Sequence, residues 1–350
     1  MGFYQGRINA INHQVTQKES ELRDLLIKID DLSEKADGIV VEIKSLLASA
    51  GKSDTSMPLR SVNNNSSSDI LVDILLKKGA ITKDGKTYEI MIGNTTYKIT
   101  PQMKNGLLVY KINYGKRSVF CSFYQPNDGN LTNISSTITL LGGDGEYVNG
   151  SIGKSAWNPE NVSVPAGSIL IAPFSGSKTN KTNESDVIAC SSLTEYLFAS
   201  DTNNLQRKVI CHSDGALVAT RTINNNPGYF TDIAFINGAT TQSNNCHDLA
   251  TYSAFKDMNV TYVITQKGWG RNGHASNDAA KVSAINLANS HQAKTITFIS
   301  NDEALIAELK DVSEIDTEKK NWQKNNSELS GHGNAWYLLN NLLSIDALFD

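Results

Sequence analysis

Along the first fifty residues the apolar positions recur at alternating spacings of three and four. They are Ile8, Ile11, Val15, Leu22, Leu25, Ile29, Leu32, Ala36, Ile39, Ile43 and Leu46, with Lys18 the one departure. No proline interrupts them, and Glu, Lys, Asp and Gln fill the positions between. Such spacing keeps one stripe on one side of a helix, so it predicts a long amphipathic helix, or a helical hairpin turning at Asp37-Gly38. Leu26, Val40 and Leu47 widen the stripe, which suits packing against more than one partner helix. Residues 51–69 follow, polar and without a period, and read as a flexible linker.

From residue 70 the rhythm changes. Thr87–Ile92, Thr95–Thr100, Gly106–Ile112 and Ser118–Tyr124 are short β-rich runs separated by Gly and Asn turns, as antiparallel strands are. Beyond residue 135 come apolar runs at Thr137–Leu141, Ser168–Ala172, Lys208–Cys211, Asp232–Ile236, Thr261–Thr265 and Thr295–Ser300. Helical stretches lie between them, among them Ser276–Ala288 and Glu303–Lys310. Alternation of this kind predicts an α/β fold, a mostly parallel sheet with helices on both faces. Three parts are therefore expected: a helical region over 1–50, a linker over 51–69 and an α/β domain over 70–350.

Composition narrows the function. With 39% hydrophobic residues the 350-residue chain can bury a core, so disorder throughout is excluded. Thirty-two basic residues against 36 acidic ones leave a net charge of -4, so no nucleic-acid partner is expected. The apolar runs are strand-sized, well short of the roughly 20 residues of a membrane-spanning helix. Cys121, Cys190, Cys211 and Cys246 form no CxxC pair, so neither a zinc site nor a disulfide framework is expected, only buried thiols. The first residues hold no apolar segment of the signal-peptide kind, which points to the cytoplasm or to export by another route.

One segment stands out for its chemistry. In Lys208-Val-Ile-Cys-His-Ser-Asp-Gly-Ala-Leu-Val-Ala219 an apolar strand runs into Ser213, then into small residues and a helix-like stretch. It resembles the nucleophile elbow of α/β-hydrolases, G-x-S-x-G, with Cys211 at the first glycine and Gly215 at the second. The elbow needs small neighbours because a strained turn lifts the serine above the sheet. Upstream, Leu140-Leu-Gly-Gly-Asp-Gly-Glu146 follows a strand directly, and its glycines would let backbone N–H groups approach an oxyanion. No Gly-Lys-Ser/Thr follows at phosphate-loop spacing. Of six histidines, His332 has a small residue on each side in Ser330-Gly-His-Gly-Asn-Ala-Trp336, similar to the segment that closes many esterase domains. His274 is the second choice; His212 adjoins the serine but would point away from it. Asp302, just past a strand and 30 residues before His332, is the acid of choice, with Asp278 its rival.

Taken together, residues 70–350 resemble an α/β-hydrolase of the lipase/esterase type. The resemblance implies a Ser213–His332–Asp302 triad, an oxyanion hole from the N–H groups of Gly143 and Asp214, and neither metal nor cofactor. The implied substrate is a carboxylic ester, lipid-like esters foremost, with amides open to the same machinery. Two features depart from the family: Cys211 in the elbow, and a further strand between Asp232 and Thr295. Residues 1–50 are similar instead to the helical regions of type VII secretion substrates of low-GC Gram-positive bacteria. That likeness implies a bacterial protein, secreted without a Sec leader and otherwise cytoplasmic, with a helical partner or self-association through residues 8–46. The competing reading is an inactive hydrolase-like scaffold, and a weaker one is a phage or surface structural protein.

Overall fold

A computed structural model describes residues 70–82, 84–104, 107–126, 130–131, 134–142, 163–174, 182–242, 247–265, 275–320 and 344–349. The heptad stretch, the linker, Gly143, His274 and His332 lie outside these residues, as does the side chain of Asp278.

Helix α1 (Ile70–Lys77) leads into β1 (Ile81–Thr82), β2 (Tyr88–Ile92), β3 (Thr95–Lys104), β4 (Leu107–Tyr114) and β5 (Arg117–Tyr124). Next come β6 (Ser136–Leu141), β7 (Ser168–Phe174), α2 (Glu184–Phe198), β8 (Gln206–His212), α3 (Asp214–Asn225) and β9 (Asp232–Ile236). A small ladder of β10 (Thr241–Gln242) and β11 (His247–Asp248) precedes β12 (Asn259–Ile264), α4 (Ala275–Ser290), β13 (Thr295–Ser300), α5 (Glu303–Leu309) and β14 (Asp316–Lys319).

Twelve of the strands form one sheet, in the order β1-β2-β3-β4-β5-β7-β6-β8-β9-β12-β13-β14. Strand β5 runs antiparallel to β4 and β7. From β7 to β14 every neighbouring pair is parallel. This order and these directions are those of the α/β-hydrolase fold. The parallel strands read as continuous apolar runs because both of their faces are covered. Every residue of β6, β7 and β9 is buried.

Helices α3, α4 and α5 share one hydrophobic core with strands β8, β9, β12 and β13. Right-handed crossovers that keep advancing across a sheet place their helices on the same face, which explains this sharing. Within that core Phe235, Tyr262 and Phe298 stand in register on three adjacent strands, ring centroids 5.0 and 5.8 Å apart. A second core joins α1 and α2 to the antiparallel strands.

Two ion pairs fix α2. Asn183 and Asp186 form a capping box at its start. Asp186 also takes the Arg117 guanidinium at 2.8 Å and a hydrogen bond from the Tyr114 hydroxyl, which ties α2 to the ends of β4 and β5. Further along the helix, Glu195 accepts a two-pronged pair from Arg207 at 2.8 and 2.9 Å and a bond from the Tyr229 hydroxyl at 2.9 Å. Arg207 is the second residue of β8, so this cluster marks the amino end of that strand.

Candidate active site

The chain leaves β6 toward β7 on one side and leaves β8 toward β9 on the other, although β6 and β8 are neighbours. Such a reversal opens a crevice at the carboxyl ends of the strands, where ligands bind in open α/β sheets. Two segments lie there, Leu141-Gly142 at the end of β6 and Ser213 after β8.

Ser213 joins β8 to α3 with φ 51° and ψ -123°, a conformation that L residues rarely adopt. Strain of this kind costs about 1–3 kcal/mol and persists only where the surroundings impose it. Here they do. A Cβ on Gly215 would lie 2.3 Å from the Leu141 carbonyl oxygen and 2.6 Å from that of Gly142. The first turn of α3 is thus pressed against the end of β6, at a separation only glycine permits. On the other flank, a Cβ on Gly238 would lie 2.9 Å from Ala216 Cβ and 3.3 Å from the Ser213 nitrogen. The ends of β6, β8 and β9 converge on one serine.

Ser213 occupies the N-cap position of α3, where a serine oxygen ordinarily accepts from the first helical turn. Its side chain makes no such bond, and the residue is partly exposed. The hydroxyl is therefore not consumed by the helix. Cys211, two residues earlier, is the competing nucleophile by chemistry alone, but it is fully buried and burial pushes its thiol well above the usual range. It stays a protonated thiol, donating to the Ala234 carbonyl at 3.4 Å.

The other predicted residues are distributed unevenly. Asp214 opens α3 beside Ser213, and Gly142 adjoins Gly143. His212 ends β8 and is buried within the sheet. His291 follows α4 and precedes β13, at the amino ends of the strands. A cavity of about 250 Å³ lined by His291, Lys294, Glu314 and Leu287 shares that end, opposite to Ser213. Asp302 follows β13 and caps α5, its Oδ1 accepting from the N–H groups of Ala304 and Leu305 at 3.1 and 3.3 Å. Three strand spacings separate β13 from β8, about 14 Å at the usual 4.7–4.9 Å each. Asp278 lies in the first turn of α4, which follows β12, two spacings from β8.

The sequence reading passed over Asn237 and Gly238, at the end of β9. An Asn-Gly pair directly after an apolar strand is a turn signal, and it was the one available cue. Among the described residues no group of His, Cys, Asp and Glu is placed to hold a metal ion, and no helix is long and apolar enough to cross a membrane.

No protein-family model and no curated protein matches the chain. Solved structures do. A thermostable esterase is 15% identical, with a TM-score of 0.43 over 77% of this chain and 75% of that one. A siderophore hydrolase from Aspergillus nidulans is 12% identical, with a TM-score of 0.37 over 75% and 94%. An S-formylglutathione hydrolase from Agrobacterium tumefaciens is 11% identical, with a TM-score of 0.35 over 75% and 95%. The likeness is loose and concerns the fold.

Proposed function

We propose that residues 70–350 are a serine hydrolase acting on carboxylic esters, lipid-like esters foremost. The observation that carries this reading is the turn at Ser213: a strained, non-glycine positive-φ residue between a parallel strand and a helix, its hydroxyl unused as a cap. In the proposed reaction Ser213 Oγ attacks the ester carbonyl while His332 accepts its proton. The negative charge gathers on the former carbonyl oxygen, held by the backbone N–H groups of Gly143 and Asp214, the latter at the positive end of the α3 dipole. Collapse expels the alcohol with the proton from His332 and leaves an acyl-serine. Water, deprotonated by His332, then releases the carboxylic acid and restores the hydroxyl.

Asp302 orients His332 in this scheme. Oδ1 takes both cap bonds, so Oδ2 is the atom proposed to meet the imidazole, at the end of a long reach from β13. Asp278 is nearer in strand spacings and stays the rival. Residues 1–50 are proposed as a separate helical module for partner binding, self-association or type VII-like export from a bacterial cell, joined by the 51–69 linker.

A fluorophosphonate probe tests the central claim. Wild-type protein should be labelled and should turn over p-nitrophenyl esters, whereas Ser213→Ala should do neither at an unchanged melting temperature. Labelling that persists in Ser213→Ala, or its absence from wild type, would leave the hydrolase-like scaffold as the better reading.

A further inference from the structure

Beside the nucleophile turn stands a residue that the proposed reaction does not use. The pairs Cys211 with Phe235 and His212 with Ile236 put Asn237 level with Ser213 on the adjacent strand. Asn237 has φ 44° and is 1% exposed. Its N–H donates to the Val263 carbonyl at 2.9 Å. Its side-chain Oδ1 accepts from both the N–H and the hydroxyl of Thr265, at 2.9 and 3.1 Å. The chain has by then turned out of β9, so the carboxamide oxygen continues the β9–β12 ladder one rung past the end of the strand. The next residue, Gly238, passes so close to the Ser213 nitrogen that a Cβ there would lie 3.3 Å away. What Asn237 holds in place is the wall behind the nucleophile turn.

The choice of side chain carries more. Asn237 Nδ2 is buried and has no acceptor among the described residues. An aspartate would offer Thr265 the same acceptor, but it would place a carboxylate at a buried position. What distinguishes the two is charge. A carboxylate level with Ser213 would oppose the negative charge that builds on the substrate oxygen beside it, whereas the amide is neutral.

We propose that Asn237 is a positioning residue for Ser213, clamping the ends of β9 and β12 behind the turn while keeping the position uncharged. This rests on the serine-hydrolase reading. Two variants separate its halves. Asn237→Asp keeps the acceptor but buries a carboxylate, so it should melt below wild type, while kcat of the folded protein falls at least tenfold at little-changed KM. Asn237→Gly tolerates the backbone conformation but loses the clamp, and should slow fluorophosphonate labelling of Ser213 at least tenfold. Wild-type kcat in Asn237→Asp overturns the charge argument, and wild-type labelling in Asn237→Gly overturns the clamp. If either variant does not fold, the other decides, with Thr265→Val, which removes one of the two clamp bonds, as the milder probe of the same contact. Failure of the hydrolase reading itself shows separately, as Ser213→Ala indistinguishable from wild type.

Discussion

Ser213 combines a strained backbone with a hydroxyl free of capping duty, so stability and activity should part company there. Glycine adopts φ 51° without a Cβ penalty, although it loses more entropy on folding. Ser213→Gly should therefore stabilise the fold by about 1 kcal/mol while ester turnover disappears. A melt and a p-nitrophenyl ester assay on the same sample check both halves, and a destabilised variant would mean the turn is not strained. The acid can be resolved at the same scale. Asp302→Asn should lower turnover by up to about 10⁴-fold if it fixes the imidazole tautomer. Asn can still accept from Ala304 and Leu305, so the α5 cap should survive. Near-normal turnover in Asp302→Asn with loss in Asp278→Asn would move the role to Asp278.

Among the elements, legibility follows burial. Strands β6, β7, β8, β9, β12 and β13 could be drawn from the sequence to within two residues because parallel strands buried on both faces leave unbroken apolar runs. Strand β14, Asp316-Thr-Glu-Lys319, left no such trace, since an edge strand is largely exposed and carries charges. The serine was legible through its small neighbours, but the backbone conformation of Asn237 and its grip on Thr265 were not. Those depend on which strand lies beside β8, and strand order is not written in local periodicity. Within β8 the two ends have different work. The Glu195–Arg207 pair stands at the amino end, about 20 Å from Ser213 at the usual rise of about 3.3 Å per residue. Glu195→Ala leaves Arg207 without its partner and should cost about 2–3 kcal/mol, below the full value for a buried pair because both groups retain some exposure. Urea denaturation reads that loss, while kcat/KM measured below the unfolding temperature should stay unchanged.

For the whole molecule, the issue is whether residues 1–50 and the α/β domain act as separate modules. Eleven of the twelve seam positions from Ile8 to Leu46 are apolar, and a lone helix does not leave such a stripe in water. Burying the whole of it, at roughly 1.5–3 kcal/mol per fully buried side chain, outweighs the roughly 4–15 kcal/mol cost of association. Deleting residues 1–50 should leave ester turnover and melting behaviour intact while abolishing partner co-purification and export. A truncated protein that is insoluble or inactive would instead make residues 1–50 part of the α/β core.

The close approach of Gly215 to the carbonyls of Leu141 and Gly142 has a bearing on time. Those groups are more than seventy positions apart along the chain, yet the turn at Ser213 has its shape only when β6 and β9 already flank β8. Contacts between distant positions form late, because closing a long loop must precede any gain from it. Refolding from urea should therefore restore far-ultraviolet circular dichroism before it restores reactivity toward fluorophosphonate. In that interval the chain would carry its helices and strands and no competent nucleophile. The serine is built last.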